Sequence, residues 1–191
     1  MQNQAATPKL YPLFLKVEGR PVVVIGAGSV AEKKIVDLVA AGAEVRVVSP
    51  EATAGVAELA TKGAITWERR AFEERDVDDA WLVIASTTDP DVQKRASDAS
   101  DARRIFCVAV DDLPNGSAYS AAVVRRAPFT IAISSSGEAP AVARLLRELI
   151  EQVLPEQDWI DAARALREKW RADGTPMSSR FGELVRAFKQ R

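Results

Sequence analysis

From Pro21 to Ile25 the chain is apolar at every position ("PVVVI"), the pattern of a strand covered on both faces. From Ser29 to Ala41 the period changes to that of a helix. Val30, Ile35, Leu38 and Val39 share one side, and Gly42 supplies a C-cap. "AEVRVVSP" then reads as a second strand, Glu44 to Ser49, stopped by Pro50. Strand, helix and strand within about 30 residues is the size of a right-handed parallel crossover.

The alternation continues. A helix is predicted near Ala54 to Lys62, a short strand in "AITWERR", and a strong apolar strand, "AWLVIAS", from Ala80 to Ser86. A helix follows from about Asp89 to Ala102, with Asp89 or Asp91 suited to cap it, and "RIFCVAV", Arg104 to Val110, is a further buried strand. This order predicts an α/β fold, a Rossmann-like doubly wound parallel sheet, over residues 1–113. Beyond it the grammar changes. Two short strands, Ala118 to Arg125 and Phe129 to Ser134, flank the turn "RAP", and a helix runs from Pro140 to just before Pro155. This small α+β segment, residues 114–154, has too little interior to be stable alone, so dimerisation through it is expected. Residues 155–191 are expected to form a helical C-terminal domain. One helix, Asp158 to Arg171, carries Trp159, Ala163, Leu166 and Trp170 as its apolar stripe, and a last short helix spans Phe181 to Phe188.

Composition narrows the partners. The 191 residues suffice for one sizeable α/β domain with a smaller appendage. Twenty-six basic against 27 acidic residues leave a net charge of -1, which suggests neither a nucleic-acid nor a membrane binder. Attraction for an anionic ligand must then come from a local cluster of Arg or Lys. The single cysteine, Cys107, cannot form an intrachain disulfide or a thiolate metal site, and a reducing, cytoplasmic setting fits. The first residues lack a charged start followed by an apolar core, and no run approaches the roughly 18 apolar residues of a membrane span, so neither export nor insertion is expected. No metal-ligating cluster is predicted.

The chemistry-bearing positions fall at strand ends. In "GAGSVA", Gly26 and Gly28 fit the first two glycines of a dinucleotide fingerprint and Ala31 the third place. Ser29 and Val30 open the helix whose positive end would face a pyrophosphate. The second strand ends in Ser49 where an acid usually grips the adenosine ribose. Glu51, just past Pro50, is the displaced candidate, and no Arg follows at once to welcome a 2'-phosphate, so NAD is favoured over NADP. In "ASTTDP", Thr87 and Thr88 lie where a nicotinamide ribose would pass, and they are equally ordinary residues for capping the next helix. Asp111 and Asp112 end the next strand, and with no histidine in the chain a carboxylate here is the candidate general base. Adjacent side chains point apart, so at most one faces the crevice. Both also suit the turn before "LPNG". Cys107 reads as core. "SSSGEAP", Ser134 to Pro140, leads into a helix N-terminus and could hold an anion, with Arg125, Arg126, Arg144 and Arg147 on the segments around it. Arg144 and Arg147 stand beside Glu148 and Glu151, which fits a solvated helix face as well.

Three blocks taken in order, "YPLFLKVEGRPVVVIGAGSVAEKKIVDLVAAGAEVRVVSPE", "RIFCVAVDD" and "FTIAISSSGEAPAVARLLRELIE", resemble the precorrin-2 dehydrogenase family, whose module also forms the N-terminal part of multifunctional siroheme synthases. The resemblance runs from about Tyr11 to Pro155. It implies a homodimer that oxidises precorrin-2 to sirohydrochlorin with hydride passing to NAD and, in some members, inserts ferrous iron to give siroheme. It implies that Asp111, rather than Asp112, is the important aspartate. It further implies cofactor contacts at Gly28, Ser29, Val30, Pro50 and Glu51, and that Ser135 lies near the tetrapyrrole. The methyltransferase part of the longer enzymes has no counterpart in these residues, so synthesis of precorrin-2 itself is not expected. A dehydrogenase that leaves chelation to a separate protein is the nearest alternative. A nucleotide-sensing regulatory module would want an acid at Ser49 and would lack the "SSSGEAP" block.

Overall fold

The computed structural model describes residues 9–154 and 157–189. A five-stranded parallel sheet has the order β3-β2-β1-β4-β5, built from β1 (Pro21–Ile25), β2 (Glu44–Val48), β3 (Thr66–Glu68), β4 (Leu82–Ala85) and β5 (Phe106–Ala109). Its helices are α1 (Ser29–Ala40), α2 (Ala54–Thr61) and α3 (Pro90–Ala102). Successive side chains of a strand point to opposite faces. Val22, Val24 and Val47 accordingly pack with Ala31, Ile35 and Val56 in one layer, while Val23, Ile25, Val83 and Ala85 pack with Ala96, Ala99 and Cys107 in the other. That two-sided burial is why β1, β4 and β5 read as unbroken apolar runs, while β2 and the edge strand β3 carry charged residues. The chain builds outward from β1 to β3 and then returns to the other side of β1 with β4. The carboxyl ends of β1 and β4 therefore form a topological switch point, where ligands of open α/β sheets bind.

A charge cluster rivets the β3 edge. Asp76, only 2% exposed, receives Arg70 at 2.6 and 2.8 Å and the Glu73 backbone N–H at 2.8 Å, with Arg46 at 3.5 Å. Burial pushes the Asp76 carboxyl up, but the Arg70 and Glu73 hydrogen bonds and the two guanidinium charges outweigh it and hold the group below its usual range.

By internal contacts the chain separates into two compact units. One gathers the residues through Ala122 together with Ser134–Pro140, and the other comprises Val123–Ile133 and Ala141 onward. In the second unit β6 (Ala122–Arg126) and β7 (Phe129–Ile133) form a two-stranded sheet whose turn contains a cis Ala127–Pro128 peptide. Three helices follow, α4 (Pro140–Val153), α5 (Gln157–Ala172) and α6 (Met177–Lys189). Trp159 stacks on Phe188 with centroids 4.5 Å apart, and Trp170 Nε1 donates to Glu183 at 2.8 Å, which pins α5 to α6. No helix among the described residues is long and apolar enough to cross a membrane.

Two boundaries differ from the sequence reading. The strand expected from Ala118 begins at Ala122, because the N–H groups of Ser117 and Ala118 both turn onto the Cys107 carbonyl at the sheet edge. The last helix begins at Met177 rather than Phe181. Pro176 lacks a donor the helix start does not need, so "TPMSS" leads into the helix instead of breaking it.

Candidate functional site

A cleft of about 590 Å³ lies at the switch point, between the start of α1, the segment after β4 and the segment after β5. Its first wall is the glycine turn. Gly26 has φ +93°, and a Cβ built there would lie 2.9 Å from the Ser86 carbonyl carbon and closer still to its oxygen, so the turn itself requires glycine. Gly28 differs. Its φ is -77° and a Cβ would meet nothing within 4 Å. No internal packing demands glycine there; what its missing side chain keeps open is the cleft. Gly28 is also the N-cap of α1 and offers no side chain to the first-turn N–H groups. Those donors, at the positive end of a 12-residue helix, remain for an anion from the cleft side. The turn is held by Gly26 N–H on the Val48 carbonyl at 3.0 Å and Thr53 N–H on the Ala27 carbonyl at 3.1 Å. Ser29 and Val30 line the cleft beside Gly28.

The second wall is the end of β4. Ser86, Thr87 and Thr88 line it. Thr87 Oγ1 accepts the Asp89 N–H at 3.2 Å, and Asp89 Oδ1 accepts those of Asp91 at 2.9 Å and Val92 at 3.2 Å. Thr87 thus supports the cap of α3 while facing the cleft, and Asp89, not Asp91, is the cap. Ser86 does not stand out in the sequence, where it reads as the end of an apolar strand.

The third wall separates the two aspartates. Asp112 Oδ2 accepts the Asn115 side-chain amide at 2.7 Å, which commits it to the turn. Asp111 takes the left-handed backbone conformation, φ +59°, and its exposed carboxylate makes no hydrogen bond among the described residues. A non-glycine residue held there stores strain, a feature that clusters at functional sites. Two further residues escape a sequence reading. Lys34, half-buried on α1, donates to Ser120 Oγ at 2.8 Å; burial lowers its pKa, while Asp111 and then Asp37 act in the opposite sense, so it shares the electrostatic field of Asp111. Gln93 of α3 is only 4% exposed, lines the cleft and donates through Nε2 to the Val110 carbonyl at 2.7 Å, leaving Oε1 without a partner.

Pro50 and Glu51 are exposed in the segment after β2, where the Glu51 carbonyl accepts from Ser49 Oγ at 2.7 Å. Ser135 sits in the loop that leads into α4, its Oγ accepting the Ala139 N–H at 3.1 Å. Ser136 and Gly137 of that loop have φ of +53° and +85°, and Gly137 lies so close to Leu113 that a side chain there would overlap it. The serine loop and the aspartate loop are thereby neighbours within one unit. Of the arginines, Arg126 spans the carbonyls of Glu151 at 2.9 Å and Leu154 at 2.7 Å, Arg144 pairs with Glu148 at 3.0 Å, and Arg125 is exposed on β6. Cys107 is fully buried, and desolvation pushes its thiol up to about 11, the state of a core residue. Among the described residues no three His, Cys, Asp or Glu side chains group as a metal site.

The chain is similar to known proteins in sequence and in fold. A family model described as putative NAD(P)-binding matches residues 13–122, and one described as sirohaem biosynthesis protein central matches residues 126–152. The chain is 39% identical over 171 residues to "Siroheme synthase 3" of Aeromonas hydrophila, covering 88% of this chain and 36% of that protein. It is 44% identical over 144 residues to "Siroheme synthase 1" of Cronobacter sakazakii, covering 75% and 31%. It thus spans about a third of the length of these relatives. Among solved structures it resembles "SirC, precorrin-2 dehydrogenase", with a TM-score of 0.77 at 22% identity over 93% of this chain and 88% of the other, a likeness of fold.

Proposed function

Because the chain belongs to the putative NAD(P)-binding family through residues 13–122, we propose that it oxidises precorrin-2 to sirohydrochlorin in siroheme biosynthesis, with NAD as cofactor. One observation carries the reading. The open first-turn amides beside Gly28 and the unbonded carboxylate of Asp111 face a single cleft at the switch point. The siroheme synthase relatives and the central-domain match point to the same tetrapyrrole chemistry.

The oxidation removes a hydride and a proton from the substrate. NAD, when bound, supplies the hydride acceptor. The chain supplies the rest. The α1 amides and the bare Gly28 hold the pyrophosphate. With NAD bound, Ser86, Thr87 and Thr88 would hold the nicotinamide ribose, Pro50 and Glu51 the adenosine ribose, and Asp111 would take the proton. Ser135 and the segment before α4 would receive a substrate carboxylate; Arg125, Arg126 and Arg144 are the guanidinium candidates of the second unit, the last two already holding helix carbonyls and Glu148. Insertion of ferrous iron into sirohydrochlorin requires loss of two pyrrole protons, for which the same carboxylate is suited; iron is here a substrate, and the macrocycle supplies its ligands. The enzyme works as a homodimer in the cytoplasm. The exposed α4 face of Val142, Leu145, Leu149 and Val153 is the surface that a second copy covers.

Incubating the protein with NAD and precorrin-2 is expected to yield NADH and the sirohydrochlorin spectrum in equal amounts; no NADH would overturn the dehydrogenase assignment. Ferrous iron added afterwards tests chelation by conversion to the siroheme spectrum. Asp111→Asn is expected to lower kcat by about 10²–10⁴-fold with NAD affinity retained.

A further inference from the structure

Gln93 is a costly residue for its position. It lies on the buried stripe of α3 with Ala96, Ser97 and Ser100, where an apolar side chain would fill the space without stranding a polar atom. The amide instead leaves one oxygen unbonded, at a typical cost of about 1–3 kcal/mol. Its other half is spent on one contact, the Val110 carbonyl, 17 residues away along the chain.

That carbonyl lies just beyond the sheet ladder. Val110 N–H is the final tie of this strand to β4, on the Ala85 carbonyl at 2.9 Å, and Asp112 is fixed by Asn115. Between these two anchors stands Asp111 in its left-handed conformation, its carboxylate without a hydrogen bond among the described residues. The orientation of the Val110–Asp111 peptide therefore decides where that carboxylate points. Among the described residues, the Gln93 amide is the side-chain donor that holds it.

We propose that Gln93 is a positioning residue for Asp111, its side-chain amide locking the Val110–Asp111 peptide so that the carboxylate is presented to the cleft. This rests on the reading of Asp111 as proton acceptor.

Two variants test it in the full chain. Gln93→Leu keeps the volume and removes the donor. The expected result is a kcat lowered by roughly 10–100-fold, with NAD dissociation constant by calorimetry and KM for precorrin-2 within about threefold of wild type. Gln93→Glu can donate to the Val110 carbonyl only while its carboxyl is protonated. Burial and the carboxylates of Asp111 and Asp112 on the rim and of Asp89 and Asp91 at the start of α3 all favour that protonated form, with Lys34 opposing them. Its activity relative to wild type is expected to fall as pH rises through the titration of the introduced group. A merely structural role would lower stability without this pH signature. A Gln93→Leu kcat within twofold of wild type, NAD affinity falling in step with kcat, or a flat Gln93→Glu to wild-type ratio would each overturn the inference. Should wild type bind NAD yet not oxidise precorrin-2, the functional reading fails by itself. The Asp111 backbone amide resonance then decides: displaced in Gln93→Leu it upholds the positioning role, unchanged it removes it.

Discussion

Gly26 and Gly28 are two residues apart in one motif, yet the structure gives them opposite jobs, and alanine at each should fail in opposite ways. Gly26→Ala places a side chain on backbone at φ +93°, which costs an L-residue about 1–2 kcal/mol. Its Cβ would also overlap the Ser86 carbonyl. That group is anchored, since Ser86 N–H is bonded to the Ile25 carbonyl at 2.8 Å, so β4 must shift against β1. Overpacking of this kind adds about 1–3 kcal/mol. The sum, about 2–5 kcal/mol, lowers the melting midpoint by roughly 4–20 °C at the ~2–4 °C per kcal/mol expected for this size. Gly28→Ala meets no protein atom and keeps an ordinary φ, so stability should change by no more than about 0.5 kcal/mol. Its methyl instead enters the space needed by a pyrophosphate, and NAD affinity should fall by about tenfold or more. Thermal melts by circular dichroism and titration calorimetry with NAD measure both quantities on both variants. If Gly26→Ala melts within about 2 °C of wild type, or Gly28→Ala binds NAD unchanged, the division of labour is wrong.

Three further outcomes rest on geometry away from the glycines. Asp76→Asn leaves Arg70 and Arg46 to share Glu68 as their carboxylate partner, and because both guanidinium groups are also about a third exposed the loss at neutral pH should be near 2–3 kcal/mol, below that of a fully buried pair. A carboxyl whose folded pKa is depressed contributes stability that is complete above its unfolded value of about 3.8 and is lost as pH falls toward the folded value. The difference between Asp76→Asn and wild type in urea melts should therefore shrink below about pH 4. Cys107 should resist thiol reagents in the native protein and react at once in denaturant. Light scattering is expected to find the proposed homodimer in the wild type and a monomer in Leu149→Glu, on the exposed α4 face, with little change in helicity; a wild-type monomer would overturn the dimer, and a dimer that persists in the variant would move the interface elsewhere.

Much of the fold is legible in the sequence because its causes are local. Strands buried on both faces must be apolar throughout, and "PVVVI" and "LVIA" say so without help. The glycine turn is legible because Gly26 answers to backbone geometry. The choice between Asp111 and Asp112 is not legible from spacing, since it depends on the Asn115 amide reaching back for one of them. Gln93 and Lys34 escape notice for a related reason. On a helix each reads as solvated, and only the sheet order brings α3 and α1 against the end of β5 and the loop beyond it. A signal does exist for Gln93: it falls on the helical stripe of small residues Ala96, Ser97 and Ser100, where a long amide stands out. Arg126 and Arg144 illustrate the reverse, since a guanidinium in sequence suggests an anion while the structure shows helix carbonyls and Glu148 taking its hydrogen bonds.

The three walls of the cleft come from stretches around Gly28, Thr87 and Asp111, and the last of them cannot be placed until β5 has docked on β4. During synthesis, then, a chain that has emerged only through its first crossover already carries the glycine motif but has nowhere to hold a ligand. Occupancy becomes a certificate of completed assembly. Each bound NAD also weights the whole sheet against reopening, by about 2.7 kcal/mol at a hundredfold excess over the dissociation constant. Cells rich in the dinucleotide would thus keep finished molecules and leave unfinished ones to the proteases.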